Sequence, residues 1–195
     1  ILYQKNKPEE VIFSDDGSED NTVEIIEKKR KLFKQAGIAL KILKNFHEGP
    51  GAARNYGIFS TNLPWIAFLD ADDTWKTDKI KRIKQLINED CGANCFLHWE
   101  EYIRSDGSVS TLENGNKYEQ TFSISKQLYR NNFLSTSAVV CNRSLLMESG
   151  GFDTTLPNCQ DYDLWLKISP MMKIEIIPEI LGSYIEESTS ITARP

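Results

Sequence analysis

Short apolar runs alternate with helical patterns through the first ninety residues of the chain. Continuous apolar runs bounded by turn residues predict three buried strands, at 11–13, 38–43 and 65–69. Apolar residues at helical spacing predict three helices, between Asn21 and Gly37, over 52–59, and from Asp78 through Ile87. Near-continuously apolar strands that alternate with helices are typical of a mostly parallel sheet with helices on both faces. The pattern therefore predicts an α/β fold.

The second half of the chain is less regular. Its apolar segments predict strands at 95–103, 137–141, 174–177 and 181–185, and helices over 125–133, 144–149 and 161–168. The polar segment 104–120 is rich in Gly and Asn, which predicts a hairpin or a mobile loop. We expect one domain over 1–195, in which a nucleotide-holding half (about 1–92) is followed by a half (about 93–195) that receives another substrate.

Composition narrows the classes of partner. The 195 residues are 40% hydrophobic and 26% charged, which is ordinary for a globular domain. The net charge of −5 argues against a broad electrostatic contact with nucleic acid. No apolar run reaches the ~18 residues of a membrane-spanning helix, and no signal peptide is visible. We therefore expect a cytoplasmic protein. The opening residues from Ile1 read as the end of a helix, so we also expect a segment that precedes this sequence.

Two acidic clusters follow predicted strands. Asp15 and Asp16 follow the first strand, and Asp70, Asp72 and Asp73 follow the third. Open α/β sheets bind ligands at the carboxyl ends of their strands, so both clusters are expected in one crevice. Carboxylates this close repel one another unless a cation is present. Mg²⁺ or Mn²⁺ with substrate phosphates would remove that conflict.

The acidic segment after residue 69 has two other interpretations. It could be a solvated cluster that interacts with the dipole of the following helix. It could also be a calcium loop, but counting from Asp70 puts Trp75 and Lys81 where such a loop requires Gly and Glu. The calcium loop is thereby excluded at this segment.

Two further residues are candidates for the chemistry. Arg54 lies near the start of a short helix after Gly49, and both helix N-termini and arginines bind phosphate well. Asp161 begins another helix and could act as the base that takes a proton from an acceptor hydroxyl. A surface arginine and an ordinary N-terminal carboxylate are the alternatives.

Five segments of the chain occur in the order found in one enzyme family. They are Val11–Thr22, Asn45–Gly57, Ile66–Trp75, Gly150–Asp153 and Gln160–Trp165. Together they resemble the family 2 glycosyltransferases, and the likeness runs over most of the chain. The resemblance implies the GT-A fold, a Rossmann-like, mostly parallel sheet flanked by helices with a smaller acceptor-side region.

The resemblance also implies an activity. Such enzymes move a sugar, with inversion, from a nucleotide-diphosphate sugar to an acceptor hydroxyl. A UDP-sugar donor, a saccharide or glycolipid acceptor, an Mn²⁺ or Mg²⁺ cofactor and a role in polysaccharide or glycoconjugate synthesis are the expectations. Through a glycolipid acceptor the protein could associate with the inner face of a membrane.

Individual positions match the motifs of the family. The pair Asp15–Asp16 matches the acidic residues that contact the nucleoside, and Arg54 matches the basic position near the diphosphate. Asp70-Ala71-Asp72 matches the DxD motif, with Asp70 toward the ribose or metal and Asp72 as the direct ligand. Asp161 matches the catalytic base.

The chain also departs from the family pattern. The resemblance implies a first strand, which is expected before Ile1. Gln160 replaces a common acidic residue, and the segment Tyr184–Thr189 lacks the arginine and histidine often found there. A metal-dependent nucleotidyltransferase uses the same metal and phosphates and stays open as an alternative. A non-catalytic relative that binds a nucleotide sugar also stays open, because a fold alone does not prove turnover.

Overall fold

The computed structural model describes residues 1–186. In chain order its strands and helices are β1 (Glu10–Asp15), α1 (Thr22–Gln35), β2 (Ala39–Lys44), α2 (Pro50–Phe59), β3 (Trp65–Ala67), β4 (Thr74–Trp75), α3 (Lys79–Asn88), β5 (Cys95–Ile103), β6 (Val109–Leu112), α4 (Ile124–Arg130), β7 (Val139–Asn142), α5 (Arg143–Glu148), α6 (Gln160–Ile168) and β8 (Ile174–Ile185). Short 3₁₀ turns at Thr136–Ala138 and Ser169–Met171 precede β7 and follow α6.

The strands form two sheets. β1 and β2 pair in parallel, and a six-stranded sheet has the order β3-β7-β5-β8-β4, with β6 on β5. The predicted α/β class is confirmed, but the pairing is mixed: β5 and β8 are parallel, and the other pairs of the larger sheet are antiparallel. A loop of five residues joins β5 to β6 in a hairpin, and a connection this short permits only antiparallel pairing.

The last strand is longer than the sequence pattern predicts. The segments 174–177 and 181–185 belong to one strand, β8, which pairs with β5 along nine residues of that strand. Ile177 pairs with His98 and Ile180 with Trp99, so Pro178 and Glu179 bulge out of the ladder. Proline has no N–H to donate, which is why it is found at such bulges.

Helices cover both faces of the larger sheet. Cys95 and Leu97 face a core that includes Leu128 of α4, Leu146 of α5 and Trp165 of α6, each buried. Phe96, between them, faces the second core cluster with residues of α3. The alternation follows from the period of two along a strand. The predicted helical cover of both faces is thus present.

The two sheets are separate ladders within residues 1–186. β1 pairs there with β2 alone, and β3 pairs with β7 alone. The strand expected before Ile1 stays a prediction. The opening residues pack on the start of α3, where the Gln4 side chain donates to the Lys76 carbonyl (2.7 Å) and accepts from the Ile80 amide (3.0 Å).

Candidate functional site

A cleft of about 730 Å³ lies where the segment after β3 meets the N-terminal ends of α2 and α6. Its walls come from both halves of the chain. The lining residues are Pro50, Arg54, Asp70–Asp73, Tyr102, Leu112, Ser135–Ser137, Pro157–Asp161 and Tyr184. The tertiary structure therefore brings together Arg54, the acidic segment after β3 and Asp161.

Arg54 and Asp70 form an ion pair in the wall of this cleft. Nη2 of Arg54 donates to Oδ1 of Asp70 at 2.6 Å, and the guanidinium also lies 5.5 Å from the centre of the Phe152 ring. α2 presents Arg54 here because Gly49, which precedes the helix, and Pro50, its first residue, start it at the cleft. Gly49 has a φ of +93°, which favours glycine, and Pro50 occupies the first turn.

The other two carboxylates of the segment differ in environment. Asp72 is exposed, and in the described part of the chain it makes no hydrogen bond or ion pair. Asp73 is buried, and its Oδ1 accepts from the Ile185 amide at 3.1 Å. Burial raises the pKa of Asp73 to about 6, and the charges of Asp72 and Glu100 add to this, while hydrogen bonds from Ser137 and Ile185 oppose it.

Two charged side chains are buried behind the cleft-lining residues. Lys79 is fully buried: its Nζ donates to the Ser137 carbonyl at 2.6 Å and lies 4.1 Å from the centre of the Trp75 ring. Burial lowers the pKa of Lys79, and the nearby charges of Glu100 and Asp73 oppose that shift. Glu100 is likewise buried, accepts from Asn114 at 3.0 Å, and has its pKa raised by burial. Both buried charges thus lie close enough to Asp73 to interact with it.

Asp161 occupies the first turn of α6 and is partly buried where it lines the cleft. Its Oδ1 accepts from the Tyr162 amide at 2.8 Å, and its Oδ2 accepts from the Thr136 hydroxyl at 3.2 Å. The neighbouring Gln160, which replaces the common acidic residue, is buried and donates from Nε2 to the Leu156 carbonyl at 2.6 Å. A glutamate carboxylate could not make that donation.

Asp15 and Asp16 organise the loops beside this cleft. Asp15 is buried, and its Oδ2 accepts from the Ser18 amide at 3.0 Å. The carboxylate of Asp16 accepts from the amides of Glu48 and Gly49 at 3.0 Å each, and so holds the loop that leads into α2. Among the described residues, those that line the cleft do not include this pair. Their predicted contact with the nucleoside stays a prediction.

Some residues of the site were missed by the sequence predictions. Thr136 contacts Asp161, Ser137 contacts the acidic segment, and the buried Lys79 donates to the Ser137 carbonyl. Lys79 carries a signal that could have revealed it, since it shares the spacing of the apolar face of α3 with Ile83 and Leu86. Glu187–Thr189, part of the segment that departs from the family pattern, lie outside the described residues.

The donor atoms fit a divalent cation that is held jointly with a substrate. Within residues 1–186 no three acidic, histidine or cysteine side chains converge as a preformed metal site, so Asp70, Asp72 and Asp73 do not enclose an ion by themselves. Mg²⁺ and Mn²⁺ sites of phosphate-processing enzymes typically use one or two carboxylates and leave the other positions to phosphates and water. Asp72 is the carboxylate that is free for this role.

Comparison with solved structures identifies the fold. The chain is similar to S. aureus TarS in complex with UDP-GlcNAc, with a TM-score of 0.77 at 18% identity over 100% of this chain and 55% of that one. It is also similar to the mannosyltransferase PcManGT from Pyrobaculum calidifontis, in complex with GDP-Man and Mn²⁺, with a TM-score of 0.65 at 17% identity over 98% and 52%. The fold is that of the GT-A glycosyltransferases.

Comparison of the sequence identifies the family. The model of "Glycosyl transferase family 2" matches residues 1–150, so this chain belongs to glycosyltransferase family 2. The chain is 30% identical over 169 residues to the Escherichia coli UDP-Glc:alpha-D-GlcNAc-diphosphoundecaprenol beta-1,3-glucosyltransferase WfaP, a match that covers 86% of this chain and 61% of WfaP. It is 31% identical over 192 residues to the Erwinia amylovora amylovoran biosynthesis glycosyltransferase AmsB, covering 93% and 61%. The chain thus spans less than two thirds of the length of these relatives.

Proposed function

We propose that the chain carries the donor and catalytic site of an inverting glycosyltransferase. The site moves a sugar from a nucleotide-diphosphate sugar, with a UDP-sugar preferred, to a hydroxyl of a saccharide or glycolipid acceptor. One observation carries this proposal: Asp161 on α6 and the acidic segment Asp70–Asp73 after β3 line the same cleft. In this scheme the half of about 1–92 holds the donor and the half of about 93–195 receives the acceptor.

The donor side is built from Arg54, Asp70 and Asp72. Asp72 is exposed in the cleft and is the residue that would hold Mn²⁺ or Mg²⁺, with Asp70 and Asp73 beside it. When bound, the cation supplies charge stabilisation for the departing nucleoside diphosphate, which is worth several kcal/mol in such sites. Arg54 lies next to this position, and its guanidinium places a second positive charge near the diphosphate.

Asp161 is the base of the proposed reaction. Each of its carboxylate oxygens accepts one hydrogen bond from the protein, which leaves lone pairs for a substrate hydroxyl. As the acceptor hydroxyl loses its proton to Asp161, its oxygen attacks the anomeric carbon opposite the diphosphate. The bond from that carbon to the diphosphate breaks, and the configuration inverts. A positioned base of this kind contributes about 10²–10⁴-fold to the rate.

The related proteins support the substrate classes. WfaP is named for a UDP-Glc donor and a diphosphoundecaprenol-linked acceptor, and AmsB for amylovoran biosynthesis. We therefore propose a role in polysaccharide or glycoconjugate synthesis. Between Ile1 and Glu186 the structure has no helix of the length and apolarity that a bilayer requires. A lipid-linked acceptor would bring the protein to the inner face of the membrane.

A donor screen tests the proposal. The purified protein would be incubated with a panel of UDP-, GDP- and dTDP-sugars, with Mn²⁺, with Mg²⁺, or with excess chelator, and nucleoside diphosphate release would be measured. We expect one UDP-sugar to be turned over, slowly to water and faster with a saccharide acceptor, and we expect the chelator to abolish this. Pyrophosphate release from a nucleoside triphosphate would instead indicate a nucleotidyltransferase. Binding of a nucleotide sugar without turnover would indicate a non-catalytic relative.

A further inference from the structure

Three consecutive hydroxyl residues of the cleft contact both the acidic segment and Asp161. Ser135, Thr136 and Ser137, here called the hydroxyl turn, lead into β7 and line the cleft. Thr136 is 6% exposed and Ser137 is 1% exposed, so their hydroxyl groups must find partners within the protein. Those partners belong to different secondary-structure elements, so the turn connects separate parts of the cleft.

Ser137 is fixed to the acidic segment and its floor. The Asp70 amide donates to the Ser137 Oγ at 3.0 Å. The Ser137 carbonyl accepts both from the buried Lys79 Nζ at 2.6 Å and from the Trp75 Nε1 at 3.1 Å. These hydrogen bonds all come from residues 70–79, so the position of the hydroxyl turn is set by the segment that carries Asp72.

Thr136 contacts α6. Its hydroxyl donates to the Oδ2 of Asp161 at 3.2 Å, while the other carboxylate oxygen of Asp161 accepts from the Tyr162 amide at 2.8 Å. The Tyr162 contact is local to α6 and fixes one oxygen relative to the helix. The Thr136 contact fixes the other oxygen relative to the acidic segment, because the neighbouring Ser137 is held there.

We infer that Thr136 is a positioning residue for Asp161. Through the hydroxyl turn it holds the carboxylate of Asp161 in a fixed orientation relative to Asp70 and Asp72. The base therefore keeps a fixed position relative to the donor-binding residues. This inference rests on the proposed function. Orientation matters because proton transfer requires the base within hydrogen-bonding reach of the hydroxyl, and small misplacements of reacting groups are costly.

Donor hydrolysis provides a test that needs no identified acceptor. In Thr136→Val the shape is kept and the hydroxyl is lost, and we expect kcat to fall roughly tenfold, which corresponds to about 1.4 kcal/mol. The donor KM should stay within roughly twofold, since Thr136 contacts Asp161 rather than the donor side, and Thr136→Ser should restore kcat. Thr136→Ala takes the place of the valine variant if that variant does not fold.

Two controls make the result specific. Thr61→Val is the matched control: Thr61 is also buried, at 5% exposed, and accepts from the Leu63 amide at 3.1 Å away from the cleft, so its kcat should not change. The double variant Thr136→Val/Asp161→Asn tests the route of the effect, because a residue that acts through Asp161 causes no further loss once Asp161 is changed.

The outcomes separate this inference from the proposed function. An unchanged kcat in Thr136→Val, or a further tenfold loss in the Asp161→Asn background, would overturn the positioning role while the parent enzyme still turns over its donor. Absence of turnover in the parent protein would refute the proposed function, and this inference with it. A fall in kcat that serine restores and that vanishes in the double variant supports the inference.

Discussion

Arg54 and Asp70 neutralise each other in the wall of the cleft, with Nη2 and Oδ1 only 2.6 Å apart. The pair joins α2 to the segment after β3 across sixteen residues of sequence. One consequence is that Asp70 already has a cationic partner, which leaves the exposed Asp72 as the carboxylate best able to attract a metal ion. A second consequence is that Arg54 is held at the cleft before any donor is bound.

Replacement of Arg54 should weaken donor binding. In Arg54→Met the pair with Asp70 and the cation next to the proposed diphosphate position are both lost. Hydrogen bonds to charged groups are worth about 1.5–3 kcal/mol, so we expect the donor Kd to rise roughly tenfold or more. Isothermal titration with the active UDP-sugar measures this. Arg82→Met is the matched control, because Arg82 forms a similar pair with Glu179 (2.8 Å) outside the cleft, and an equal loss of affinity there would contradict the assignment.

Replacement of Asp72 should affect the metal requirement and leave the fold intact. Asp72 is exposed and unpaired in the described residues, so Asp72→Asn should change the free energy of unfolding by no more than about 0.5 kcal/mol. The Mn²⁺ concentration for half-maximal activity should rise roughly tenfold or more, because a carboxylate ligand has been lost. Titration of donor hydrolysis with Mn²⁺ measures it. Asp106→Asn, an exposed substitution of the same kind in the turn between β5 and β6, should leave the titration curve unchanged.

Replacement of Asp161 should remove turnover while donor binding persists. For Asp161→Asn we expect kcat to fall by about 10²–10⁴-fold, since the base is lost. The donor Kd should stay near that of the parent. Asp163→Asn is the control within the same helical turn: Asp163 pairs with Lys167 at 2.7 Å, four residues along α6, and its loss should leave kcat near normal. Normal transfer by a folded Asp161→Asn variant would exclude the residue as the base.

Asp73 should give the metal-free protein a pH-dependent stability. Its pKa is raised by burial from 3.8 to about 6, so the folded state holds the proton more tightly than the unfolded state. The stabilisation from this proton is therefore fully present below about pH 4 and is lost as the pH rises through about 6. Asp73→Asn should flatten the stability curve between these values. Urea denaturation at several pH values, with a chelator present, compares the two proteins, and parallel curves would show that Asp73 is not responsible.

The contact between α2 and α6 should be intolerant of a methyl group at Gly51. A Cβ there would lie 2.5 Å from the Oε1 of Gln160 and 2.8 Å from its Cδ, next to Asp161. Gly51→Ala should therefore cost about 1–3 kcal/mol in stability, because the buried Gln160 has to move, and it should lower kcat as α6 shifts. Addition of Gln160→Ala should recover stability.

Gly57→Ala on the same helix provides the control for Gly51→Ala. A Cβ at Gly57 meets nothing within 4 Å, and alanine favours a helix over glycine by roughly 0.5–1 kcal/mol, so the variant should be as stable as the parent or more so. Thermal unfolding and kcat would be measured for both variants. Equal effects of the two substitutions would show that the contact with Gln160 is unimportant.

Much of the architecture could be predicted because it depends on local sequence. α1 and α3 follow apolar spacing, and β1, β2 and β5 follow apolar runs, so their positions need no knowledge of their neighbours. The two-residue strand β4 was missed, and β3 ends at Ala67 rather than at residue 69. β4 is defined by its pairing with β8, and the extent of β3 by its pairing with β7. A single segment of sequence carries no information about such pairing.

The sequence by itself determined the chemistry that is available: carboxylates at the ends of β1 and β3, an arginine at the start of α2 and an aspartate at the start of α6. Local patterns decide these placements, since strand ends and helix starts are set by nearby residues. Only the tertiary structure decided how the groups are paired. Arg54 meets Asp70, Asp16 turns to the loop before α2, and Thr136 meets Asp161 twenty-five residues away. Such contacts depend on how α2, α6 and the hydroxyl turn pack around the sheet, and that packing is a property of the whole chain.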